Sequence, residues 1–101
     1  MNINPGNNEN PRVIRISRTG ETTDVVTLKV EGTLVADLIP VLEGACAGHL
    51  SAPKRVDLDF ADVWFLDRDA VTAVRELIPR GVTILHPTPL VRDLLRRHDK
   101  G

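Results

Sequence analysis

With 101 residues the chain can form one compact domain with a modest core, and it is too short for two. Two Phe, one Trp and no Tyr leave the core to aliphatic side chains, and a net charge of −1 without aromatic stacking platforms excludes a nucleic-acid binder. The single Cys46 cannot close an internal disulfide, and no apolar run approaches the roughly 18 residues of a membrane span, so a cytoplasmic protein without membrane insertion is expected.

In chain order, residues 1–11 are rich in Asn, Gly and Pro and lack apolar periodicity, as a disordered leader does. RVIRISR (12–18) predicts a first strand, RTGETTD a polar connection, and DVVTLKVEG (24–32) a second strand, the two forming a hairpin. From Leu34 the apolar spacing turns helical through Leu38, Leu42 and Ala45 to His49. Pro40 fits the first turn of a helix capped by Asp37, whereas a helix begun at Leu34 would be kinked.

KRVDLDF (54–60) predicts a short strand. Asp67–Ile78 predicts a helix whose stripe is Ala70, Val71, Val74, Leu77 and Ile78, stopped by Pro79 and Gly81. VTILH (82–86) is the last expected strand. Thr88-Pro89 then opens a helix with a hydroxyl cap and a proline at its first position, carrying Leu90, Val91, Leu94 and Leu95 into a polar tail, 98–101.

The order β-β-α-β-α-β-α implies a single α/β domain over 12–97. Its sheet is mixed but mostly parallel, with an antiparallel edge strand from the hairpin and helices mainly on one face. Asp57 and Asp59 point to the other face, away from Val56, Leu58 and Phe60.

Three segments resemble the STAS domain family, typified by bacterial anti-sigma-factor antagonists. LKVEGTL (28–34) resembles the family's second strand with its L-x-G-x-L turn; VDLDFADVWFLDRDA (56–70) resembles its strand, loop and D-S-[ST]-G switch; HPTPLVRDLL (86–95) resembles its S-P-x-x-x-x-L-L segment. The resemblance implies a non-catalytic signalling module that binds a kinase-type anti-sigma factor and is released when the switch serine is phosphorylated. Here Asp67 keeps the aspartate, but Arg68 stands at the phosphoserine position, Asp69 at the second hydroxyl and Ala70 at the glycine. The implied module therefore has no serine phospho-switch: Arg68 brings a positive donor fork where phosphoserine would bring about −1.5 to −2 charge.

The expected partner-binding surface comprises the Gly32-Thr33 turn and the tip formed by Trp64, Asp67, Arg68, Asp69 and Ala70. Trp64 and Phe65 alternate in an extended chain, so they are not expected to face the core together. The plainer alternative makes Asp67 an N-cap and Asp69 a dipole-matched acid of the first turn. The partner is an anti-sigma-factor-type kinase or another ATPase; an accessory subunit of a membrane transport ATPase is the alternative function.

An enzyme is not expected, nor is a cofactor or metal. A magnesium site built from Asp57, Asp59, Asp62, Asp67 and Asp69 is the weaker third possibility, because no glycine-rich phosphate loop, G-x-S-x-G or H-E-x-x-H accompanies these acids. Cys46 and His49 lie three apart on one helix without further ligands nearby, which fits core packing and a helix-end residue. Arg92, Arg96, Arg97 and Lys100 make the last helix and tail basic, either a solvated face or a contact for an acidic partner.

Overall fold

A computed structural model describes residues 14–51 and 54–98. The leader 1–11 and the end of the polar tail, 99–101, lie outside the described residues. The elements are β1 (Ile14–Glu21), β2 (Val25–Leu34), α1 (Ile39–Ser51), β3 (Arg55–Leu66), α2 (Arg68–Leu77), β4 (Val82–Leu85) and α3 (Pro89–His98), in the expected order. Short 3-10 turns lead into α1 (Ala36–Leu38) and follow α2 (Ile78–Arg80).

The four strands lie side by side in sequence order. β1 is antiparallel to β2, while β2, β3 and β4 are parallel neighbours. Alternation builds the core: Val26, Leu28 and Val30 of β2 and Val56, Leu58 and Phe60 of β3 are buried, and they meet Leu42 and Cys46 of α1, Val71 and Val74 of α2 and Val91 of α3. The other sheet face is polar, with Lys29 paired to Asp62 at 2.9 Å.

Several boundaries differ from the sequence expectation. β1 runs past Arg18 to Glu21, so the hairpin turn shrinks to residues 22–24, where the Thr22 hydroxyl accepts from the backbone N–H of Asp24 and Val25. Leu34 is the buried last residue of β2 rather than a helical position, because strand pairing with Leu66 outweighs local helical spacing. Helical geometry begins at Ala36, ahead of Asp37, so Asp37 is not the N-cap. Pro40 nevertheless falls in the first turn of α1, where its missing N–H costs little.

The largest difference is β3. A short strand ending at Phe60 was expected, yet it continues through twelve residues to Leu66. Its pairing with β2 slips twice. Lys29 and Glu31 face Asp59 and Asp62, and Gly32 and Thr33 face Val63 and Phe65, so β3 carries an extra residue at each step. Such bulges break the period-2 signal on which strand recognition rests.

Other ends follow local chemistry. Gly81, with φ 112°, closes the turn after α2 in the left-handed region that favours glycine. The Thr88 hydroxyl accepts from Val91 N–H at 3.2 Å and caps α3. β4 stops one residue short of the expected His86, which has φ 55° and turns the chain off the sheet.

Candidate functional site

The expected site residues converge at the carboxyl-terminal ends of β2 and β3. Register places Gly32 beside Val63 and Thr33 beside Phe65, so the two stretches singled out in sequence are neighbours across one strand pair. Gly32 and Thr33 do not form a turn. They lie inside β2, where Gly32 takes φ 116°, a backbone conformation that favours glycine, at the point where the pairing with the bulged β3 slips.

The second bulge decides the surface. Trp64 is the extra residue, and the normal alternation between Val63 and Leu66, both buried, is lost. Trp64 is 64 % exposed and Phe65 is 42 % exposed, so both aromatics leave the core side by side. The sequence excluded both facing inward; the bulge puts both outward.

Asp67 begins α2 as its N-cap. One carboxylate oxygen accepts from Ala70 N–H at 2.9 Å, and the other accepts from Ala36 N–H at 2.9 Å. Its own N–H donates to the carbonyl of Leu34 at 3.2 Å. One side chain thus ties the helix start to the segment leaving β2, and both of its oxygens are engaged by backbone. A shallow open depression lined by Val35, Ala36, Asp37 and Asp67 sits beside this junction.

Arg68 and Asp69 follow on the exposed first turn. Among the described residues no carboxylate pairs with Arg68, which leaves a solvent-facing guanidinium on the turn that follows the exposed aromatics. Ala70 belongs elsewhere. Its side chain is fully buried and its N–H is taken by Asp67, so it contributes to the helix cap and core rather than to a contact surface.

The acids of the magnesium possibility are dispersed. Asp62 is held by Lys29, whose ammonium that hydrogen bond shifts above its usual range. Asp59 accepts from Ala61 N–H at 3.0 Å at the first bulge, and Asp67 is committed to backbone donors. Among the described residues, no group of three or more His, Cys, Asp or Glu could hold a metal ion. Cys46 is buried, and desolvation pushes its thiol up to about 11, which disfavours the nucleophilic thiolate. No described helix is long and apolar enough to cross a membrane.

No protein-family model matches the chain, and no curated protein matches it. Solved structures do. The anti-sigma factor antagonist SpoIIAA in its unphosphorylated form superposes with a TM-score of 0.69 at 18 % identity, over 84 % of this chain and 81 % of that one. The phosphorylated form of the Bacillus cell fate determinant SpoIIAA gives 0.65 at 17 % identity, over 83 % of each chain. An antisigma-factor antagonist STAS domain from Rhodobacter sphaeroides gives 0.60 at 18 % identity, over 72 % of this chain and 86 % of that one. The chain therefore has the STAS, SpoIIAA-like fold.

Proposed function

We propose that this STAS-fold chain is a non-catalytic interaction module, similar in role to an anti-sigma-factor antagonist, which docks onto a kinase-like regulatory protein without a serine phospho-switch. The observation that carries this proposal is the pair of exposed aromatics, Trp64 and Phe65, thrust outward by the β3 bulge ahead of the unpaired Arg68. Trp and Arg are enriched among residues that dominate binding energy. Gly32 and Thr33 flank the aromatics across the strand pair, and Asp67 fixes the tip beforehand, so little ordering is left for the moment of association.

Arg68 occupies the position at which the family's serine receives phosphate, and Asp69 follows it. A carboxylate on the partner would find a planar donor fork at Arg68. The interaction would then be constitutive, or controlled by the supply of partner rather than by modification of this tip. The likeness of fold to SpoIIAA supports the class of role.

The test is affinity capture from native cells with the full chain, beside Trp64→Ala and Arg68→Glu variants whose folding is checked by circular dichroism. A kinase-like ATPase retained by the native chain and weakened about 30-fold by either change, the loss of a hot spot of about 2 kcal/mol, is the expected result. Incubating that ATPase with ATP should leave residues 67–70 unphosphorylated. Recovery of the same ATPase by both variants would refute the tip as the docking surface.

A further inference from the structure

We draw no further inference here: the strongest candidate, the outward face of α1 that exposes Val41, Gly44, Ala47 and Gly48, is an unpartnered stripe of small and apolar side chains, and nothing in the structure shows what covers it.

Discussion

Replacing Asp67 tests whether one carboxylate holds the tip together. Asp67→Ala removes the cap of α2, typically worth about 1 kcal/mol. It also removes the acceptor of Ala36 N–H, 31 residues away in sequence, a bond to a charged oxygen whose partial exposure limits it to about 1 kcal/mol. The expected loss is about 2 kcal/mol, which lowers the melting temperature by about 10 °C in a domain of this size. Asp67→Ser separates the two contributions: its hydroxyl can still cap the helix but is too short to serve Ala36 as well, so about 1 kcal/mol should be lost. Urea unfolding followed by far-ultraviolet circular dichroism is the suitable assay, because Trp64 is already 64 % exposed and its emission would change little on unfolding. If Asp67→Ala cost less than about 0.5 kcal/mol, or if Ser and Ala were equivalent, the carboxylate bridge would be structurally idle.

Trp64→Ala should leave unfolding stability within about 0.5 kcal/mol, since the side chain buries little area, and tryptophan emission in the wild-type chain should be red-shifted and readily quenched by acrylamide. Gly81→Ala should destabilise by about 1 kcal/mol or more in the same urea assay, because φ 112° is unfavourable for a residue with a Cβ. Cys46 should resist thiol reagents at pH 8 until the chain unfolds. Its raised pKa favours the protonated thiol in the folded state, so its stabilising contribution is full below the ordinary value of 9.0 and falls away as pH rises toward about 11; a Cys46→Ala chain should lack that component in urea melts across the window. At the acid end, the Lys54 hydrogen bond holds the Glu21 carboxyl below its ordinary 4.5, so its contribution is present above that pH and is lost as pH falls below it. Lys54→Met should flatten this part of a stability-versus-pH curve.

Much of the fold was legible because its signals are local. Alternation in Val26, Leu28 and Val30 marked β2, and the spacing of Ala70, Val71, Val74 and Leu77 marked the buried stripe of α2; Ile78, expected in the same stripe, instead begins the 3-10 turn after the helix and is 45 % exposed. Asp67, Thr88 and Gly81 announced helix ends through side-chain acceptors and a left-handed backbone position. Each of these depends on residues at most a few positions apart, so a one-dimensional reading captures them.

The residues of the candidate site stand out in the sequence, but their geometry does not. FADVWFL lacks a clean period because two of its residues are extras relative to β2, and that excess exists only once the two strands are paired. The same pairing claimed Leu34 for a strand, left Gly32 with φ 116° at the slip and placed Thr33 beside Phe65. The sequence by itself determined the caps of α2 and α3, most of the core stripes and the order of elements, since local hydrogen bonding and hydrophobic period set those. Only the tertiary structure decided that Trp64 and Phe65 face solvent together, that Ala70 lies inside, and that Asp67 reaches back to Ala36, because strand register and contacts between distant segments exist only in the assembled sheet.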